Sequence, residues 1–152
     1  MVEEQSEMRT SALLQRLFRT QDLQSFLQQN ESAMQIPAFY EYLGLLCHER
    51  ATVPERIIKK ALIDRTYGHQ LFNGTRKPSR DKVLQLAFGF ELDVDETQKL
   101  LKIADKSALY PKIKRDAVIL YCLSQEMDIF ETQDALQSLG LTILGGEWLH
   151  GQ

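Results

Sequence analysis

The segment 53–79 contains the side chains that are best placed for chemistry in this 152-residue chain. It holds two short helical patterns followed by an Asn73-Gly74 pair, which is typical of a helix end. In the second pattern Gly68 and Leu71 are predicted to face inward. The outward face then presents hydrogen-bonding side chains at spacings of three and four residues, namely Arg65, Thr66, His69, Gln70 and Asn73.

No motif in the sequence is typical of an enzyme or of a metal site. His48, His69 and His150 have no partner at metal-ligand spacing, and the two cysteines lie in apolar helical patterns. A glycine-rich phosphate loop and a nucleophile elbow are both missing from the sequence. Acidic pairs such as Asp93 and Asp95 are explained by helix capping. We therefore predict a non-enzymatic chain with no catalytic residue, no metal ligand and no cofactor.

The net charge of −3 conceals a strong asymmetry along the chain. Between Arg50 and Lys82, nine basic side chains stand against three acidic ones, so this segment carries +6 and the rest of the chain −9. Such a distribution is typical of a local phosphate-binding surface on an otherwise acidic protein, although a charge run can also be a solvated face. The asymmetry therefore favours an anionic partner for the segment 50–82.

Apolar residues at helical spacing fill the chain, whose hydrophobic content of 43% is ordinary for a globular protein. Apolar and polar residues nowhere alternate between turn signals, so we predict an all-α fold. Asp64 is a predicted N-cap, and 93–96 and 128–131 have the spacing of capping boxes. The predicted helices span about 11–19, 22–30, 39–47, 54–61, 65–72, 80–89, 94–104, 113–124 and 129–139.

Residues 80–101 are similar to residues 115–136 at a constant offset of 35, with nine identical pairs in 22 positions. One interpretation is a duplicated hairpin, stacked as in helical-repeat proteins. The other is that two helical hairpins share their capping chemistry by convergence. Under either interpretation, the last third of the chain is expected to continue the core.

The segment Asn73-Gly74-Thr75-Arg76-Lys77-Pro78-Ser79 resembles the turn after the recognition helix in the lambda-repressor-like, Cro-type helix-turn-helix family (the xenobiotic-response-element group). The resemblance covers about 38–104, and Leu84-x-Leu86-Ala87 and Leu92-x-Val94-x-Glu96 fit the fourth and fifth helices of the family. It implies a five-helix DNA-binding domain at 37–106. N-terminal helices at 1–36 and a C-terminal helical hairpin at 107–152 would pack onto that domain.

The resemblance also implies a function, that of a bacterial transcriptional regulator. Such a protein inserts its recognition helix, here 65–72, into the major groove of double-stranded DNA, and it binds as a homodimer. Its location would be the cytoplasm, in association with the nucleoid. No apolar run approaches the roughly 20 residues that span a bilayer, so we expect no membrane partner.

The family's site residues carry over onto matching positions of this chain. The resemblance assigns Arg65, Thr66 and Gln70 to base contacts. Arginine can make a bidentate contact with guanine, and glutamine can make one with adenine. Contacts with phosphates or flanking groups, which position the protein without reading sequence, are assigned to Tyr67, His69, Asn73, Arg76 and Lys77. For each of these residues, the alternative is an ordinary solvated surface side chain.

Three departures from the family pattern have structural consequences. Pro54 replaces a glutamine whose amide helps to anchor a phosphate. Leu62 replaces the usual turn glycine, and since a left-handed backbone would cost leucine about 1 kcal/mol or more, we expect a modified turn. In the family, a small residue of the first helix faces a branched apolar residue of the second. In this chain the branched residue, Ile58, is in the first helix, and the small one, Gly68, is in the second. We predict that Ile58 fills the space above Gly68.

The alternative function is a protein-interaction adaptor, or an antitoxin-like partner, that uses the same fold without specific DNA binding. The acidic segments on either side of 50–82 and the helices outside the five-helix domain would provide the protein-binding surfaces of such an adaptor. The candidate surfaces for a homodimer or another protein partner are the C-terminal hairpin and the N-terminal helices, the latter through Leu13, Leu17, Leu23 and Phe26. The alternative is that these apolar side chains pack onto the core of their own chain, and this interpretation is favoured for Leu17 and Phe26.

Overall fold

The computed structural model describes residues 10–146, and within that range every helix predicted from the sequence is present and no strand occurs. The prediction of an all-α fold is confirmed for this part of the chain. The chain divides into two compact units between Pro37 and Ala38. None of the helices in the described range is long and apolar enough to cross a membrane.

The first unit contains α1 (Thr10–Arg19), α2 (Leu23–Gln29) and a 3₁₀ turn (Ser32–Met34). Asp22 caps α2, because its carboxylate accepts hydrogen bonds from the amides of Gln24 and Ser25 at 3.2 and 3.4 Å. Phe26 is buried, but helix α1 buries none of its residues. The large apolar side chains that remain exposed in this unit are Leu14, Phe18, Leu23, Leu27, Met34 and Ile36.

Between residues 38 and 146, the described part of the second unit contains seven helices: α3 (Phe39–Glu49), α4 (Pro54–Lys60), α5 (Arg65–Asn73), α6 (Arg80–Gly89), α7 (Val94–Ile103), α8 (Lys114–Ser124) and α9 (Ile129–Ser138). Its core lies around α6, where all seven residues from Val83 to Gly89 are buried. The predicted capping boxes are confirmed at the starts of α7 and α9. Both cysteines are buried thiols, and burial raises the pKa of each.

The hairpins α6–α7 and α8–α9 make the same hydrogen bonds at positions 35 residues apart. The side chain of Gln98 donates to the carbonyl of Leu109 at 2.9 Å and accepts from its amide at 2.8 Å. Gln133 makes the equivalent pair of bonds with Leu144, both at 2.8 Å. Because these bonds lie outside the capping boxes, shared capping chemistry does not explain them. The structure therefore favours the duplicated hairpin over convergence.

Two crossed ion pairs join these hairpins. The guanidinium of Arg80 donates to both carboxylate oxygens of Asp116, at 3.0 and 2.9 Å. Arg115 makes the equivalent bidentate pair with Asp81, at 2.9 Å for both bonds. Each arginine thus binds the equivalent aspartate of the other hairpin. The contact between the hairpins is therefore reciprocal, as in a pair of elements related by a two-fold axis.

The two aspartates of these pairs remain ionised in a partly desolvated setting. Two effects on the pKa of Asp81 and Asp116 oppose each other. Burial alone would raise the pKa, because it disfavours the charged carboxylate. The hydrogen bonds and charges of the arginines outweigh burial, so the pKa of each aspartate lies below its usual value. Each carboxylate also accepts a backbone amide, from Tyr110 for Asp116 and from Gly145 for Asp81.

Candidate nucleic-acid interface

Helices α4 and α5 are joined by a tight turn and contain most of the residues that the sequence analysis assigns to DNA contacts. Helix α4 begins with Pro54, at a position where a backbone amide would have no partner within the helix. Helix α5 begins after Asp64, whose carboxylate accepts from the amide of Tyr67 at 3.1 Å. It ends at Asn73 and is followed by Gly74 as the C-cap, which has a φ of 83°. The predicted N-cap and the predicted glycine at the helix end are both confirmed.

Ile58 of α4 lies directly against Gly68 of α5. A Cβ atom added to Gly68 would be 2.5 Å from Cγ2 of Ile58, which is far inside van der Waals contact. The side chain of Ile58 is only 2% exposed, so it occupies the space that a larger residue at position 68 would need. The predicted packing of Ile58 on Gly68 is confirmed, and with it the relative register of the two helices.

The prediction of a modified turn at Leu62 is wrong. Leu62 has a φ of 56°, the left-handed conformation that glycine usually adopts. Its amide donates to the carbonyl of Lys59, and the amide of Ile63 donates to the carbonyl of Ile58, both at 3.2 Å. This pair of bonds is the Schellman motif, which satisfies the last carbonyls of α4. The turn therefore keeps the ordinary geometry despite its leucine.

Gln85 of α6 stabilises this turn from inside the protein. Its side-chain amide donates to the carbonyl of Ala61 at 3.1 Å and to that of Leu62 at 3.4 Å. Gln85 is buried, so these bonds replace the hydration that its amide loses. A left-handed conformation costs a residue with a side chain about 1–2 kcal/mol, and this tertiary contact helps to offset that cost. The amino-acid sequence of the turn itself does not show that Gln85 makes this contact.

Helix α5 presents the predicted face outward. Gly68 and Leu71 are buried, as predicted. The side chain of Arg65 is 77% exposed, Thr66 is exposed, and Gln70 is half-buried. Of the side chains assigned to phosphates or flanking groups, Asn73, Arg76 and Lys77 are exposed, whereas Tyr67 and His69 are half-buried.

Glu55, in the first turn of α4, connects two residues of this face and was not among the predicted site residues. Its Oε1 accepts from Nε of Arg65 at 2.8 Å, and its Oε2 is hydrogen-bonded to Nε2 of His69 at 2.7 Å. These two hydrogen bonds, with that to His69 the larger effect, lower the pKa of Glu55 from its usual value. The available signal in the sequence was an acidic residue at the start of the helix that precedes α5, within a segment of mostly basic residues.

Arg76 connects the far end of α5 to the turn that follows it. Its Nε donates to Oε1 of Gln70 at 2.9 Å, and its backbone amide donates to the carbonyl of Gln70 at 3.2 Å. The guanidinium carbon lies 4.6 Å from the centre of the Tyr67 ring, and Nζ of Lys82 lies 5.6 Å from the same centre. The ring of Tyr67 therefore makes cation–π contacts with both Arg76 and Lys82.

The turn after α5 is fixed by two further contacts. The side chain of Asn73 accepts from the amide of Thr75 at 2.9 Å, which forms an Asx turn. The backbone of Gly74 lies under the ring of Tyr40, and a Cβ atom at position 74 would be 2.7 Å from Cδ1 of that ring. Glycine is required here both by its φ of 83° and by this close approach.

The positive charge available to a ligand is smaller than the sequence suggests. Four of the nine basic side chains between residues 50 and 82 are paired with carboxylates, and these are Arg50 with Glu96, Lys60 with Glu91, Arg65 with Glu55 and Arg80 with Asp116. Four others are exposed and have no carboxylate partner within the described part of the chain, namely Arg56, Lys59, Arg76 and Lys77. A phosphate-binding surface would therefore be confined to α4 and the turn after α5.

The arrangement can recognise a ligand through planar, bidentate hydrogen bonds, supported by a few cations beside them. It contains no group of side chains that could hold a metal ion, as far as the described residues show. No family model, no curated protein and no solved structure matches the chain. The membership of a helix-turn-helix family, inferred from the resemblance over about 38–104, therefore stays a prediction.

Proposed function

We propose that this protein is a sequence-specific, double-stranded DNA-binding transcriptional regulator of the lambda-repressor-like type, and that α5 enters the major groove. The observation that carries the proposal is the outward face of α5. Its two bidentate hydrogen-bonding side chains, Arg65 and Gln70, are each held in place by a neighbour outside α5. A surface of this kind, on a helix of nine residues, has the width and the chemistry that a major groove accepts.

The proposed contacts fall into two classes. Arg65, Thr66 and Gln70 read base edges, since they point outward from the start and middle of α5. Lys77 and Arg76 bind phosphates, because they are exposed cations in the turn that follows the helix. Two other proposed flanking residues have structural contacts of their own, since Asn73 caps the turn and Tyr67 stacks with Arg76.

A second recognition surface is needed for a site of ordinary length, so we propose that the protein binds DNA as a homodimer on two half-sites. The first unit offers a self-association surface. Phe18 is 76% exposed and Ile36 is 68% exposed, although both are large apolar side chains. A unit that leaves such side chains in water is typical of a region that is covered by a partner.

The same observation favours the alternative, a protein-interaction adaptor or antitoxin-like partner. Exposed apolar side chains also occur on the second unit, where Phe130 is 62% and Tyr121 is 59% exposed. An adaptor would use these surfaces and would have no use for the polar face of α5. The two functions therefore predict different binding surfaces on one chain.

The test is a titration of the isotope-labelled protein with a mixed-sequence 20-base-pair duplex at about 50 mM salt, where nonspecific phosphate binding is strong. The amide NMR signals report which surface binds. Under the proposal, the signals of α5 and of residues 74–77 shift, and those of α9 do not. If no signal in α5 shifts, or if shifts are confined to other helices, the DNA-binding proposal fails and the adaptor function takes its place.

A further inference from the structure

We propose that Glu55 is a specificity-determining positioning residue, which fixes Arg65 in the orientation that reads guanine. This inference rests on the proposed DNA-binding function and adds to it. Glu55 belongs to α4, not to the helix that carries the reading face, and it makes no base contact in this proposal. It acts through Arg65 and His69, to which its two carboxylate oxygens are bonded.

The atoms that take part in the contact are the main argument. Glu55 accepts from Nε of Arg65 at 2.8 Å and leaves the two terminal nitrogens of the guanidinium without a partner among residues 10–146. The bidentate contact with O6 and N7 of guanine uses a pair of such donors. By contrast, both terminal nitrogens of Arg80 donate to the carboxylate of Asp116. The terminal nitrogens of Arg65 are therefore available to a base, whereas those of Arg80 are bonded to Asp116.

The second carboxylate oxygen holds Glu55 to a second residue of α5. Oε2 of Glu55 is 2.7 Å from Nε2 of His69, so the carboxylate is held by two groups on successive turns of α5. Arg65 is 77% exposed, and a long exposed side chain would otherwise sample many rotamers in the unbound protein. Fixing the guanidinium before binding reduces the entropy that is lost when the contact with guanine forms. Discrimination between bases at this position should therefore depend on Glu55.

The negative charge of Glu55 has a separate consequence. A carboxylate next to the reading face repels phosphates, and so it weakens binding to DNA that offers no guanine to Arg65. Removing the charge should relieve this repulsion. We therefore expect loss of Glu55 to lower specific binding while nonspecific binding stays equal or rises. A variant that merely unfolds would lose both kinds of binding.

The experiment uses the full chain and a pool of random duplexes. Selection with the wild type gives the preferred sequence, and selection with Arg65→Ala identifies the base pair whose preference depends on Arg65. The preference at that base pair is then measured for Glu55→Ala, Glu55→Gln and Glu49→Ala. The last is a control with the same change of charge at an exposed residue at the end of α3.

We expect Glu55→Ala to lose about tenfold in discrimination at that base pair, within the range that a bidentate contact contributes. Glu55→Gln keeps an acceptor for Nε of Arg65 and should retain most of the preference, and Glu49→Ala should retain all of it. If Glu55→Ala keeps the full preference at the Arg65-dependent base pair, Glu55 is not a positioning residue and only this inference fails. If the wild type selects no sequence, the DNA-binding function fails as well.

Discussion

Ile58 and Gly68 are complementary in volume: Cγ2, Cγ1 and Cδ1 of the isoleucine all lie within 2.9 Å of the point where a Cβ atom of residue 68 would be. This contact sets the distance and register between α4 and α5. Since the side chains that carry the proposed function all belong to these helices and the turn after them, the contact also determines where the reading face lies.

Gly68→Ala should therefore destabilise the protein by about 1–3 kcal/mol, the usual cost of overpacking. In the background of Ile58→Ala the same substitution should be stabilising by up to about 1 kcal/mol, because the clash is gone and alanine favours a helix over glycine. Urea unfolding of the four proteins of this cycle measures both values.

Gly44→Ala is the matched control for this cycle, since Gly44 lies in α3 and nothing is within 4 Å of the position of its Cβ. It should stabilise the protein. If Gly68→Ala behaves like Gly44→Ala in the wild type, the packing of α4 against α5 differs from the one described.

Acid should weaken the contact between the two hairpins. The pKa of Asp81 is lowered in the folded protein, so the stability that this carboxylate contributes is complete above its unfolded pKa of about 3.9 and is lost as the pH falls through the folded pKa. Asp81→Asn should be less stable at pH 6 by about 1–3 kcal/mol, because Arg115 and the amide of Gly145 lose a charged acceptor. It should lose less stability than the wild type between pH 5 and pH 3.

Urea unfolding at several pH values tests this dependence. Asp134→Asn is the control, as Asp134 is exposed and has no ion pair within residues 10–146. Its stability should depend on pH as that of the wild type does. An equal loss on acidification in the wild type and in Asp81→Asn would contradict the role of this ion pair.

The two cations after α5 should affect DNA binding differently. Lys77→Ala should weaken binding to all sequences by a similar factor and should reduce the dependence of log K on log salt concentration by about 0.9, the value for one phosphate contact. Arg76→Ala should have the same effect on the salt dependence and should also relax the base preference that depends on Gln70, because Arg76 holds that side chain at 2.9 Å.

Binding of a selected duplex at several salt concentrations measures both effects. Lys102→Ala, a change of an exposed lysine in the last turn of α7, is the control and should leave the salt dependence unaltered. An unchanged salt dependence in Lys77→Ala would show that this residue makes no phosphate contact.

The sequence predicted the helices and several of their ends because these depend on local chemistry. Asp64, Asp93 and Asp128 mark helix starts by their own side chains, and Gly74 marks an end by its backbone. The packing of Ile58 on Gly68 was also predictable, since the resemblance places the two positions opposite each other.

The features that the sequence did not predict depend on contacts between distant segments. Leu62 adopts a left-handed conformation in a turn that Gln85 supports from 23 residues away. Glu55 meets Arg65 only because α4 and α5 fold against each other. The ion pairs of Arg80 and Arg115 link the two similar hairpins. The similarity of the hairpins is visible in the sequence, but no pattern in the sequence shows that the two hairpins face each other.

We propose that α5 reads DNA through Arg65 and Gln70. A selection from a random duplex pool at ~100 mM salt, where nonspecific phosphate binding is already weakened, tests this claim. The wild type, Arg65→Ala/Gln70→Ala and Lys102→Ala/Gln137→Ala are compared, the last pair being exposed residues on α7 and α9 with the same change of charge. We predict that the wild type and the Lys102/Gln137 variant enrich one short motif, which the Arg65/Gln70 variant loses. Enrichment of the same motif by all three proteins, or of no motif by the wild type, would contradict the claim.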